Sequence, residues 1–288
     1  MKEIQINGKK IGDGNPCYFV AEIGINHNGD INIAKKLITV AAAAGCNAVK
    51  FQKRNPDLCV PISQRNLMRE TPWGNITYFD YRQKVEFGIQ EYKEIDKFCK
   101  SMNINWFASG WDHDSVDFIE KFKIPCYKIP AAKLTDDDLL NYTRKQGKPI
   151  ILSTGMSSLE QLDHAVKVLG KKDLILLHCC SAYPADYSDL NLRLIPYLKD
   201  RYGVPVGYSG HETGLASTIA AVVLGACIVE RHITLDRAMW GSDHAASLEP
   251  SGLTHLMRDI RLVEKSMGNS EKRILPSEEP IIKRLRNV

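Results

Sequence analysis

The chain has 288 residues, 38 Lys+Arg against 34 Asp+Glu for a formal net charge of +4, and 44% hydrophobic with 25% charged residues. This is the balance of a globular protein long enough to bury a substantial core, and it excludes a disordered chain. No Lys/Arg run exceeds a pair (Lys9-Lys10, Lys171-Lys172), which argues against nucleic-acid binding, and no apolar stretch reaches the ~18 residues of a membrane span.

The N-terminal MKEIQINGKKIGDG predicts a short hairpin turning at Asn7-Gly8, a pair that suits the primed two-residue turns. Strand-like runs follow at 18–24, 47–52, 105–109, 126–130, 149–154, 174–180, 204–210 and 227–233, rich in Val, Ile and Leu as strands buried on both faces are. Each precedes a helical stretch. The stretch after the first run stops at Gly45. The one after the fifth run opens with Ser157 and Glu160 in the form of a capping box and stops at Gly170. The last is SGLTHLMRDIRLVEKSMG. Eight βα units is the count of a closed (β/α)8 TIM barrel, with the hairpin plugging the face opposite the active site. The expectation is a single barrel domain over 1–288. One connection is long: residues 53–87, between the second strand and its helix, carry Pro56, Pro61, Pro72, Trp73 and Gly74. Loops of that length in compact domains are functional or disordered, and in a barrel this one lies on the active-site face.

The eight cysteines (17, 46, 59, 99, 126, 179, 180 and 227) show no C-x-x-C spacing, and several sit in apolar runs. That pattern predicts reduced, core-packed thiols in a cytoplasmic protein. The N-terminus has no apolar h-region of a signal peptide.

Polar side chains at the ends of apolar strands are the informative exceptions, because barrel active sites sit at the C-terminal strand ends. Alternation along each strand gives one self-consistent inward set: Glu22, Lys50 with Gln52, Lys128, Ser153, His178, Ser209 with His211, and Glu230 with His232. Two inward lysines in one barrel are poorly placed to reach water and suit an anion such as phosphate or carboxylate. Ser153 and Ser209 are either packed hydroxyls or donors to the same anion. His211 and His232 end adjacent strands, ~4.8 Å apart, and together can meet one divalent ion of the Mn, Fe or Zn kind. Asp243, in WGSDH, is a third ligand, a sugar contact or an ordinary turn residue. Glu22 is a structural acceptor or, beside such a site, a group for proton transfer or for positioning water. His113 reads as a helix-start residue, Cys179 and Cys180 as core thiols, and His244 as a substrate contact or an exposed loop residue. There is no G-x-G-x-x-G and no Walker loop.

AEIGINHNGD (21–30), VKFQ (49–52), KIP (128–130), PIILSTGMSS (149–158), LLHCCSAYP (176–184), GYSGH (207–211) and VERHIT (229–234) together resemble the N-acetylneuraminate (sialic acid) synthase family over almost the whole barrel. The resemblance implies condensation of phosphoenolpyruvate with an N-acetylmannosamine-type aldose to a 2-keto-3-deoxy sugar acid, with release of phosphate and use of a divalent metal, commonly Mn. It places Lys50, Lys128, Ser153 and Ser209 on phosphoenolpyruvate, His211 and His232 on the metal, Glu22 as the catalytic carboxylate, and Gln52, Tyr183 and Asp243 on the acceptor. It also implies a homodimer. Family members usually carry a further C-terminal domain resembling antifreeze proteins, and the expectation here is a barrel without it. Ala131, Lys133 and Ser181 depart from the family pattern in the acceptor half. Lys133, where a carboxylate often meets the sugar, implies an altered acceptor, acidic or phosphorylated. The same chemistry on another aldose, such as a legionaminic-type precursor, and a non-catalytic barrel that binds sugar or anion are the alternative readings.

Overall fold

The computed structural model describes residues 3–286. Strands β1 (Ile4–Ile6) and β2 (Lys9–Ile11) pair antiparallel around Asn7 and Gly8, whose φ of 45° and 76° are the positive values a primed turn requires. Ile4, Ile6 and Ile11 are buried in the main core, and the Asn7 side chain donates to Asn105 at the start of a barrel strand. The hairpin therefore closes the N-terminal mouth of the barrel, as expected.

The chain continues through β3 (Tyr18–Gly24), α1 (Ile31–Ala43) and β4 (Ala48–Lys53). An excursion follows: α2 (Pro56–Cys59), α3 (Ile62–Arg65), β5 (Met68–Thr71), β6 (Gly74–Thr77) and α4 (Tyr78–Val85). The barrel resumes with α5 (Ile89–Ser101), β7 (Asn105–Gly110), α6 (His113–Glu120), β8 (Tyr127–Ile129), α7 (Asp137–Lys145), β9 (Ile150–Ser153) and α8 (Leu159–Leu169). It ends with β10 (Leu174–His178), α9 (Leu194–Tyr202), β11 (Val206–Gly210), α10 (Ala216–Val223), β12 (Ile228–His232) and α11 (Pro250–Met267), beyond which lies α12 (Glu279–Leu285). Strands β3, β4 and β7 to β12 form one closed parallel barrel, each beside the next in sequence, with β12 returning to β3. No helix among the described residues is long and apolar enough to cross a membrane.

Local chemistry explains the helices. Asp30 caps α1 by accepting from Asn32 N at 2.7 Å, and the buried Ala34, Leu37, Ile38 and Ala41 form one stripe facing the strands. The capping box of α8 is Ser158 with Gln161, one residue beyond the expected pair; the Ser157 hydroxyl is already spent on the Gly155 carbonyl at 3.2 Å. His113 is the first helical residue of α6, behind the capping Asp112.

The 53–87 connection is built rather than loose. Its β5–β6 hairpin runs in register from Met68 against Thr77 to Thr71 against Gly74. Tyr81 and Val85 of α4 form a small second core with Ile25, against which Trp240 packs edge-on to Tyr81 at 5.1 Å. The base of the excursion rests on His27, stacked on Phe87 at 3.9 Å.

Burial pushes the His27 imidazole down to about 3, so it is neutral in the folded protein. Its folded value lies below the unfolded ~6.5, so the unfolded chain takes up the proton first, and stability present above pH 7 is lost as pH falls. The loss at pH 5 relative to pH 8 is about 2 kcal/mol, or several degrees in melting temperature. Thermal melts of the wild type and a His27→Gln variant check this. The variant should lose that part of the pH dependence, and identical slopes would refute the assignment.

Outside the barrel wall, between β11, β12 and α10, lies a dry polar cluster. Arg231 pairs with Glu212 at 3.1 Å with neither side chain exposed, and it donates to Thr218 Oγ1 at 2.5 Å and to the Glu212 carbonyl at 2.7 Å. Tyr208 donates to Glu212 Oε2 at 2.8 Å. Alternation along β12 thus sends Arg231 outward and its neighbours Glu230 and His232 inward.

Candidate active site

A cavity of about 200 Å³ opens at the C-terminal ends of the barrel strands. Its floor is four charged side chains, none more than 5% exposed. Lys50 of β4 pairs with Glu22 of β3 at 2.7 Å and stands 3.7 Å from Glu230 of β12; Lys128 of β8 stands 3.7 Å from the same Glu230 oxygen. Two cations and two carboxylates make the floor formally neutral, which is how buried charge is tolerated. Hydroxyls surround it: Lys128 donates to Ser153 Oγ at 2.7 Å, Lys50 to Ser109 Oγ at 3.1 Å, and Ser209 to Glu230 at 3.3 Å.

The two carboxyls are held apart in acidity. Burial raises Glu22, with Lys50 opposing and Glu230 adding to the rise. Burial acts the same way on Glu230, but Lys128 and Lys50 outweigh it and hold that carboxyl below its ordinary value. Burial lowers the Lys128 ammonium. Glu22 is aimed by Gln52, whose Nε2 donates to Oε1 at 3.1 Å. Between Glu22 and Gly24 the β3–β4 register shifts, and Gly24 adopts φ of 55°. A Cβ there would meet Gln52 and Glu22 at 3.2 Å and His232 at 3.3 Å, so glycine is what lets these three groups converge.

Two imidazoles stand above the floor, His211 following β11 and His232 ending β12, with ring centroids 5.6 Å apart. His211 Nδ1 meets the Cys180 carbonyl at 2.7 Å, which assigns the proton to Nδ1 and leaves Nε2 a lone pair. His232 Nδ1 is buried with no hydrogen-bond partner, and Asp243 Oδ2 is 4.0 Å away. Burial, then the neighbouring His232, pushes His211 down to about 4, and burial likewise lowers His232. Neutral imidazoles, one fixed by a backbone carbonyl and one with an orphaned nitrogen, are the donor chemistry a divalent transition ion uses. Among the described residues no group of three or more His, Cys, Asp and Glu side chains is set around one point, so water and substrate oxygens would complete such an ion's shell. Tyr183 packs over His211 at 4.2 Å between centroids.

A second chamber of about 360 Å³ continues outward, sharing Gln52, Trp111 and Tyr183 with the first. Asp243, Arg54 and Arg82 line it. Beyond it a third cavity of about 470 Å³ shares Tyr78, Arg82 and Ser242 and adds Arg69. The excursion supplies one wall of both.

The structure brings Glu22, Lys50, Gln52, Lys128, Ser153, Tyr183, Ser209, His211 and His232 into the inner cavity. Asp243 sits in the outer chamber. Three expectations are corrected. His178 points out of the barrel: it lies in register with outward Tyr208, its Nε2 meets the Leu190 carbonyl at 2.7 Å, and Cys179 lines the cavity instead. Lys133 does not line the cavity as Ala131 and Ala132 do; it is paired with Asp136 at 3.0 Å on the turn after β8. His244 is neither exposed nor in the cavity, being buried with Nδ1 on Thr234 Oγ1 at 2.7 Å. All eight cysteines are free thiols, with Cys59 and Cys180 half-buried and the rest buried. Sequence reasoning missed Ser109, whose signal was its place two residues beyond Phe107 on the inward row, and the bridging position of Glu230.

Comparison with known proteins adds an independent line. The NeuB family model matches residues 37–272. The N-acetylneuraminate-9-phosphate synthase of Mus musculus is 39% identical over 94% of this chain and 77% of its own length. The N,N'-diacetyllegionaminic acid synthase of Campylobacter jejuni is 39% identical over 90% of this chain and 80% of its own. Among solved structures, an N-acetylneuraminic acid synthetase from Leptospira borgpetersenii superposes with a TM-score of 0.88 at 32% identity, covering 100% of this chain and 98% of the other.

Proposed function

Because the chain belongs to the NeuB family, we propose that it condenses phosphoenolpyruvate with an aldose of the N-acetylmannosamine type, giving a 2-keto-3-deoxy sugar acid and inorganic phosphate. The observation that carries this reading is the convergence of Lys50 and Lys128, two buried ammonium groups with hydroxyls around them, on the one cavity that the two neutral imidazoles also line.

Phosphoenolpyruvate is strongly anionic. Lys50 and Lys128 meet its carboxylate and phosphate as point charges, and Ser153 and Ser209 turn their hydroxyls to the same oxygens. His211 and His232 would hold a divalent ion, Mn in this reading, which supplies Lewis acidity at the aldehyde carbonyl. As the C2–C3 π electrons of phosphoenolpyruvate bond C3 to the aldehyde carbon, the carbonyl π pair moves to the aldehyde oxygen, which takes up a proton to become a hydroxyl; C2 becomes electron-poor, and water adds there and gives up a proton. The C2–O bond to phosphate then breaks, leaving the keto acid. Glu22, buried and fixed by Gln52, stands on the floor to stabilise that centre or direct the water. Holding both substrates in one small cavity supplies much of the rate by proximity. Gln52, Tyr183 and Asp243 bound the space left for the acceptor.

Phosphate release from phosphoenolpyruvate with Mn present, measured against a panel of aldoses beginning with N-acetylmannosamine, tests the reading. Release that depends on the sugar is expected; release without any sugar, or none with the whole panel, would sink it. The excursion should matter to the acceptor alone. Replacing residues 60–76 by a short Gly/Ser linker removes part of the outer wall. It is expected to raise the acceptor KM by about tenfold, roughly 1.4 kcal/mol of lost contacts, and to change the phosphoenolpyruvate KM by less. Equal effects on both substrates would refute a role in acceptor binding.

A further inference from the structure

Glu22 owes its orientation to a chain of contacts that begins in the outer chamber. Its carboxyl is held from two sides, Oε2 by Lys50 at 2.7 Å and Oε1 by Gln52 Nε2 at 3.1 Å. An ion pair alone leaves a carboxyl free to turn about the contact, and the second contact fixes its plane. Gln52 makes that contact only when its amide is the right way round, because one end donates and the other accepts. Arg54 decides the matter: its guanidinium donates through Nη2 to Gln52 Oε1 at 2.5 Å. A flipped amide would set N–H against guanidinium donor and carbonyl oxygen against carboxyl, so both contacts would be lost together. The positive charge on Oε1 also polarises the amide and strengthens Nε2–H as a donor. Arg54 is in turn built into the wall. Its guanidinium lies over the Trp111 ring, 3.7 Å from the centroid. Its backbone N–H donates to Glu86 Oε2 at 3.2 Å, the Trp111 N–H to the Lys53 carbonyl at 3.2 Å, and the Asn55 N–H to Asp112 at 2.8 Å. Glu86 is engaged by Lys53 at 3.3 Å and faces Arg82 at 4.0 Å, so the Arg54 head group turns to a neutral amide. The directional consequence of that bond is at Glu22.

We propose that Arg54 is a positioning residue for the condensation: through the Gln52 amide it holds the Glu22 carboxyl in the orientation that serves the electron-poor C2 centre. The inference rests on the reaction proposed above and adds a residue to it. The effect of Arg54 on turnover passes through Gln52, since the guanidinium has no contact with Glu22 itself and meets it only across that amide. A hold of this kind acts on the chemical step and not on the capture of phosphoenolpyruvate by Lys50 and Lys128. Its loss therefore appears in kcat and leaves the phosphoenolpyruvate KM in place.

The test is a double-mutant cycle on the whole protein, read as steady-state phosphate release. Arg54→Met keeps an apolar stem against Trp111 and removes the donors. It is expected to lower kcat about tenfold and to change the phosphoenolpyruvate KM by less than about twofold. Arg54→Lys, which still donates to Oε1, should recover part of the loss. In a Gln52→Met background Arg54→Met should cost nothing further in kcat, because the link is already cut. Losses that multiply across the two sites overturn the proposal, as does an unchanged kcat in folded Arg54→Met. Should Arg54→Met not fold, Arg54→Lys is read against Gln52→Met in the same way. A second readout does not depend on turnover: the Gln52 side-chain amide resonances in NMR spectra of the wild type and of Arg54→Lys. They should shift, and exchange with solvent faster, in the variant; unmoved resonances overturn the proposal. If the amide responds but the wild type releases no phosphate with any sugar, the condensation fails and the hold on Glu22 stands. If release depends on the sugar but kcat ignores Arg54, the condensation stands and the positioning role fails.

Discussion

Replacing either His211 or His232 by alanine is expected to lower turnover by at least about 10³-fold, the equivalent of ~4 kcal/mol of carbonyl polarisation, while leaving the melting temperature within a few degrees. The geometry separates the two effects. His232 makes no hydrogen bond through Nδ1, so its removal orphans nothing. His211 gives up one bond to the Cys180 carbonyl, at a cost of about 1 kcal/mol. Both rings border a cavity, so water fills the space they leave. The measurement is the rate of phosphate release with melts recorded in parallel, and a second arm strips divalent ions with a chelator. Full activity after stripping would refute the metal role. Loss of activity accompanied by unfolding would mean that the histidines serve the fold.

The second large effect concerns the floor. Lys128→Met is expected to raise the phosphoenolpyruvate KM by about 100-fold through the loss of one charge-assisted contact to the anion. It should also destabilise the barrel by about 3 kcal/mol or more, because Glu230 loses one of its two lysine partners in a dry site. These consequences come apart in the double variant Lys128→Met with Glu230→Gln. That pair removes one cation and one anion together and leaves Lys50 with Glu22 at 2.7 Å. Stability should return towards the wild type while the KM stays high. A double variant that recovers both would show that Lys128 acts only as a counter-ion and that phosphoenolpyruvate is held elsewhere.

Much of this site could be read from the sequence because it depends on periods of two. Lys50 and Gln52, Ser209 and His211, and Glu230 and His232 are spaced two apart, and each apolar strand announces its polar end. The same count failed at His178. Which parity of 174–180 faces inward depends on register against the neighbouring strand, where Leu177 meets Gly207 and His178 meets Tyr208, and a single sequence carries no register. Glu230 was legible as inward, but its position between two lysines follows from barrel closure, which sets β12 against β3 and, through β3, near β4. Arg54 and Arg82 gave no signal. Their meeting depends on how an excursion with little periodicity folds back over the barrel mouth, and that is decided by Tyr81, Val85 and Trp240 packing at long range.

The Arg231–Glu212 pair bears on how such sequences change over time. Each residue adjoins one of the two histidines, yet faces the other way, into a dry layer beneath α10. Losing either alone strands a buried charge at a cost of about 3–5 kcal/mol, a large part of the ~5–15 kcal/mol that holds a folded protein together. An intermediate with one changed is therefore purged before the second change can arrive, and the two persist as a unit under selection for folding alone. In a descendant that had abandoned catalysis, Arg231 and Glu212 would outlast the histidines beside them. A surviving Glu-Arg-His stretch is then a record of ancestry in its arginine and a record of chemistry only in the inward residues on either side of it.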